Sequence, residues 1–113
     1  MKALRSFYLM LICLLVSSAA IAGGHNETAA SGKDVFKAHC ANCHDSLIGG
    51  FFSGAPRIGK QADWAALIPK GAEGLTQATI SGIGDMAARG GCVECSDEDI
   101  RAAVGYILEQ TEQ

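Results

Sequence analysis

In the stretch KAHCANCHDS, residues 37–46, Cys40 and Cys43 stand three residues apart and His44 follows the second thiol directly. Three chemistries use paired thiols at this spacing: a redox disulfide, half of a zinc site, or covalent attachment of a haem. In the last, each thiol adds to one porphyrin vinyl group and the next histidine ligates the iron. His44 separates the three. A disulfide has no use for it, and a zinc site completed by Cys92 and Cys95 would leave it idle. C-x-x-C-H is the attachment motif of c-type haem, so the reading predicts one covalent haem c with His44 as an axial ligand.

The opposite face of the iron then needs a ligand from further along the chain. Met86 is the only methionine beyond the first ten residues, and its thioether in a glycine-rich segment suits low-spin haem. The plainer role for Met86 is a core gap-filler. His39 is tethered beside Cys40 and cannot reach across, and His25 in the N-terminal tail is a weaker competitor. Cys92 and Cys95 form a second C-x-x-C, but Ser96 follows where a haem site needs histidine. That pair is a disulfide or a dithiol. Export to an oxidising compartment favours a structural disulfide, since no strand-to-helix turn of a thioredoxin-like motif is in sight.

The leader argues for export. Lys2 and Arg5 precede an apolar run that ends in Ala20-Ile21-Ala22, the pattern of a cleaved signal peptide over residues 1–22. The run is too short for the about 20 residues of a membrane span, although a retained anchor is the competing reading. Cys13 lacks the small preceding residues of a lipidation site and reads as filler. Cleavage leaves 91 of 113 residues, with seven basic and twelve acidic side chains and a net charge of −5. That length bounds the product to one small domain, residues 32–113, behind a polar tail at 23–31. The acidic balance and the scattered lysines and arginines exclude a nucleic-acid stripe or an anionic-lipid patch.

Helices must position these groups. A first helix is expected from Ser31 or Gly32 into Cys40, with Val35, Phe36 and His39 at helical spacing. LIGGFFSGAPRIGK, at 47–60, reads as a loop, with Phe51 and Phe52 too apolar to stay solvated and expected to cover something. A helix from Gln61 or Asp63 to Ile68 would bury Trp64, Leu67 and Ile68 before Pro69-Lys70-Gly71 closes it. Another spans about Ala72 to Ser81, with Gly82 as its stop. The terminal helix has the clearest signal, with Ser96 and Asp99 forming a capping box ahead of the stripe Ile100, Ala103, Val104, Ile107 and Leu108. No alternating strand pattern occurs, so the class is all-α. A large apolar ligand would explain how Phe51, Phe52, Ile58, Trp64, Leu67 and Leu75 could all be buried in so short a chain.

From about Gly32 to Leu108 the sequence resembles the class I c-type cytochromes, and within them the bacterial cytochrome c5 group. The resemblance rests on DVFKAHCANCH, GAPRIG, DWAALIPKGAEGL, Met86 and, most specifically, GGCVECSDEDIRAAVGYI with its C-x-x-C before the terminal helix. It implies four or five helices around one covalent haem, first and last helices crossing through Gly32, Phe36 and Tyr106, and a Pro56 carbonyl that accepts a hydrogen bond from His44. The family usually has proline after its ligand methionine, whereas Ala87 and Ala88 follow Met86.

With Cys40, Cys43, His44, Pro56 and Met86 around the cofactor and both axial sites of the iron filled, the expected role is a periplasmic electron carrier of a Gram-negative bacterium, not an enzyme. Its partners would be redox proteins: a quinol-oxidising complex or dehydrogenase as donor, and an oxidase or reductase as acceptor. A homodimer through exposed haem edges and the Phe51–Phe52 segment is also compatible with the sequence. The alternative is a haem-based gas sensor or peroxidase, which needs Met86 absent or displaceable.

Overall fold

In the computed structural model, which describes residues 30–113, the chain enters its first helix at Ser31, whose side chain accepts a hydrogen bond from Asp34 N. The expected signal peptide, most of the tail, Cys13 and His25 lie outside the described residues. Helix α1, Gly32–Val35, runs into a π-helical turn, Phe36–Cys40, and then into α2, Ala41–His44. Such wide turns recur at functional sites. This one lies immediately before the two thiols.

The expected loop at 47–60 begins instead with a helix, α3, Leu47–Ser53. Ser46 caps it by accepting from Gly49 N at 3.0 Å, and Gly54, at φ 64°, ends it in the left-handed region. Gly49 and Gly50 look like loop residues in the sequence but serve close packing. A Cβ on Gly49 would lie 2.0 Å from Asn42 O, and one on Gly50 would lie 3.2 Å from Cys43 O. Phe51 and Phe52 are corrected too. Each is 82% exposed, and the two rings pack edge to face on one another, centroids 5.5 Å apart.

The next helix, α4, is shorter than expected, Gln61–Trp64, and a 3-10 turn at Ile68–Lys70 carries Pro69 into α5, Gly71–Ser81. Another 3-10 turn, Ala88–Gly91, leads to the longest element, α6, Asp97–Thr111. Its capping box is complete: Asp99 N donates to the Ser96 hydroxyl while Ser96 N donates to the Asp99 carboxylate. The Ser96 hydroxyl and backbone N–H both donate to the Asp99 carboxylate, and these two hydrogen bonds hold its carboxyl below its ordinary pKa. Such a cap contributes about 1 kcal/mol. No strand occurs among the described residues.

The core forms where α1 crosses α6. A Cβ on Gly32 would meet Ala102 O at 2.1 Å, so the two backbones touch at a point only glycine permits. One turn on, Phe36 packs on Tyr106 with ring centroids 5.5 Å apart. Val35, Leu75, Ile100, Ala103 and Val104 form one buried cluster with Cys92 and Cys95, and Phe36, Trp64 and Ile107 form another. Ile58 and Leu67 pack against that second cluster, partly buried. At the far end of α6, Gly59 N donates to Thr111 Oγ1 at 3.2 Å and ties the loop after α3 to the C-terminus.

Candidate functional site

Between these helices lies a cavity of about 360 Å³. Cys40, Cys43 and His44 line one side; Leu75, Ile100, Val104, Ile107 and Met86 are among its other walls. The lining is mostly apolar, with Ser53, Lys70, Thr79 and Asp85 as its other polar residues beside the sulfur and imidazole groups, which is the chemistry a porphyrin asks for. The donor set fits the predicted cofactor. Cys40 and Cys43 are free thiols, whereas Cys92 and Cys95 are bonded to each other. Burial, and secondarily the neighbouring Cys43, pushes the Cys40 thiol above its ordinary pKa. The zinc reading of Cys40 and Cys43 fails on geometry, because Cys92 and Cys95 group with His39 and not with them.

His44 is fixed from both its side chain and its backbone. It is 7% exposed. Its Nδ1 donates to Pro56 O at 2.8 Å, and its carbonyl accepts from Ile58 N at 2.8 Å. Since a carbonyl only accepts, Nδ1 carries the proton and Nε2 is left with its lone pair available to a metal. The loop that supplies Pro56 is anchored in turn by Trp64, whose indole Nε1 donates to Arg57 O at 2.8 Å, while Arg57 N donates to Asp63 Oδ2 at 3.1 Å. Trp64 also stands 6.0 Å from the His44 ring. Helix α4 thus braces the imidazole through one intervening loop.

Met86 is held without a following proline. Ile83 and Met86 exchange backbone hydrogen bonds at 3.1 and 2.9 Å across the turn Gly84-Asp85, with Gly84 at φ 56°. Gly82 lets the loop close, since a Cβ there would lie 2.9 Å from Met86 O and 2.8 Å from Ala88 N. These contacts restrict the loop where the family's proline would have done so.

Arg57 escaped the sequence reading as a site residue. Its Nε is buried with no hydrogen-bond partner among the described residues, beside a hollow that shares Gly54, Ala55, Pro56 and Leu67 with the main cavity. A buried guanidinium donor without a protein acceptor is free to donate to a water or an anionic group in that hollow. The only sequence signal was a cation directly after Pro56.

An all-helical shell that gathers a C-x-x-C-H segment and a methionine around one apolar cavity defines a small monohaem cytochrome. Residues 27–107 match the family described as cytochrome C oxidase, cbb3-type, subunit III. The chain is similar to cytochrome c5 of Ectopseudomonas mendocina, 39% identical over 76% of this chain and 93% of that protein. It is also similar to cytochrome c-555 of Chlorobaculum tepidum, 36% identical over 87% of each. Among solved structures it superposes on a chain of an electron transfer complex of nitrite reductase with cytochrome c. There the TM-score is 0.62 at 30% identity, over 70% of this chain and 91% of that one. The chain belongs to the class I c-type cytochromes, in the cytochrome c5 group, and its cofactor is one covalently attached haem c.

Proposed function

We propose that this cytochrome is a periplasmic electron carrier, with Cys40 and Cys43 as the thioether cysteines and His44 and Met86 as the axial ligands. The observation that carries the reading is the cavity itself, lined by His44 and by a methionine held in its own turn. When bound, the haem supplies one-electron exchange at iron. The chain's residues do the rest. Pro56 orients the imidazole of His44 and raises its donor strength through the Nδ1 hydrogen bond. As a ligand, the thioether of Met86 would raise the potential relative to a second nitrogen and would keep small molecules off the metal. Arg57 Nε would donate to a haem carboxylate, and the aliphatic walls exclude water.

A carrier with both axial positions filled is not an enzyme, and it differs from the gas-sensor or peroxidase reading in one measurement. The ferrous protein at neutral pH should keep its absorption spectrum under carbon monoxide. Ready binding would hand the function to the sensor or peroxidase.

The partners are redox proteins. The complex of nitrite reductase with a cytochrome c supports that class without naming this chain's donor or acceptor. Helix α3 offers the surface for such an encounter: Leu47, Ile48, Phe51 and Phe52 are all more than two-thirds exposed and lie next to the loop that holds His44. Replacing Phe51 and Phe52 together by serine should leave stability within about 0.5 kcal/mol, as for exposed positions generally. Electron transfer to a physiological acceptor at low protein concentration should slow at least about tenfold, the equivalent of 1.4 kcal/mol of lost docking energy. Unchanged transfer kinetics would move the docking surface elsewhere.

A further inference from the structure

We propose a second, redox-gated metal site outside the haem cavity, in which Cys92 and Cys95, once reduced, bind a thiophilic divalent cation such as zinc together with His39. The imidazole comes from the π-helical turn before Cys40 and the two sulfurs from the turn before α6. The crossing of α1 and α6 brings a ring nitrogen of His39 and both Sγ atoms within 4.8 Å of one another. None of the three lines the haem cavity.

Ligand atoms around tetrahedral zinc lie about 3.5–3.8 Å apart, given bonds of about 2.3 Å to sulfur and 2.0–2.1 Å to nitrogen. The ring nitrogen of His39 must therefore approach the sulfurs by up to about an ångström, while the two sulfurs, bonded to each other in the disulfide, must move apart once reduced. The mobile partner is His39, whose side chain is 32% exposed. Glu94, between the two cysteines in sequence, holds Oε1 3.9 Å from His39 Nε2 but outside the cluster of three ligand atoms, which leaves the fourth position to water. The C-x-x-C spacing is itself a metal-chelating spacing.

The wall that carries the sulfurs is fixed independently of their bond. Arg89 adopts φ 58°, unusual for a side-chain-bearing residue, and from there its Nε and Nη2 both donate to Cys95 O, at 3.2 and 2.9 Å. The same guanidinium pairs with Asp97. Ser96 and Asp99 then hold the start of α6. Breaking the disulfide would thus leave both thiols near His39.

An external dithiol delivers two electrons and two protons, the Cys92–Cys95 bond opens to two thiols, and the donor closes to its own disulfide. A divalent cation then displaces the two thiol protons and binds the thiolates. Disulfide and metal are alternative states of one site, so its occupancy follows the local thiol redox poise.

The test uses the intact holoprotein. It is reduced anaerobically with a phosphine, which takes the oxygen of water as it is oxidised, then freed of reductant and titrated with Zn²⁺ against a chromophoric chelator. One equivalent should bind to the reduced protein and none to the oxidised protein. Cd²⁺ should produce an ultraviolet thiolate-to-metal band while the haem spectrum stays unchanged. His39→Ala should weaken zinc binding at least about tenfold, since even groups outside the first ligand set contribute 10–100-fold. Its oxidised form, with normal melting and haem spectrum, establishes that the variant folds. Equal zinc binding before and after reduction, no binding after reduction, a missing thiolate band, or unchanged affinity in His39→Ala would each overturn the proposal.

Discussion

Met86→Ala is expected to lower the reduction potential by on the order of 100 mV or more, a fraction of the roughly 0.8 V over which axial ligands set haem potentials. The weak sulfur-to-ferric-iron charge-transfer band should vanish. Cyanide, azide and carbon monoxide should bind, while the haem remains attached through Cys40 and Cys43. The cause lies in the geometry: Met86 is the only methionine beyond residue 10, it lines the cavity that His44 also lines, and the Ile83–Met86 pair aims its segment. Potentiometry and ligand titration of the variant beside the wild type decide the matter. An unchanged band and potential would mean that another group closes the iron.

The second large effect concerns the fold. Gly32→Val should lower stability by at least about 3 kcal/mol, because the new Cβ would fall 2.1 Å from Ala102 O and 2.6 Å from Ala102 C, both of them backbone atoms that cannot rotate away. For a domain of this size that is a melting temperature lower by more than about 12 °C. A matched control exists on the partner helix. Gly105 has open space around its Cα, so Gly105→Ala should leave the melting temperature equal or higher. Thermal unfolding of the two holoproteins, followed by circular dichroism, makes the comparison. A Gly32→Val variant that melts with the wild type would mean that α1 and α6 do not touch there.

Much of this was legible in the chain because the signals were local. Ser96 and Asp99 announce α6 by a capping box that needs no tertiary context, and the five apolar residues that follow are the face that packs on α1 and the cavity. The attachment motif likewise carries its chemistry in five consecutive residues. The errors arose where a residue's role depends on something distant. Gly49 and Gly50 read as loop formers because glycine is a poor helix former, yet they sit inside α3, where only a hydrogen fits between Gly49 and the Asn42 carbonyl and a Cβ on Gly50 would crowd that of Cys43. Phe51 and Phe52 read as buried because of their side chains, whereas α3 leaves both at the surface, packed edge to face on each other. Arg57 and His39 acquire their neighbours only from the tertiary fold, and no spacing rule finds such pairs.

The crossing at Gly32 has a consequence for how the molecule is assembled. It joins residues about 70 positions apart, a closure that costs about 4 kcal/mol of chain entropy before any contact offsets it. A nascent chain that has not yet reached Asp97 carries its attachment cysteines and His44, but lacks Ile100, Ala103, Val104, Ile107 and Leu108, which line the cavity in the finished protein. The thiols are therefore made early, and the roof over them is synthesised last. With Cys40 and Cys43 as the proposed attachment points, an attachment machinery would have the whole interval between those two events in which to reach them unobstructed.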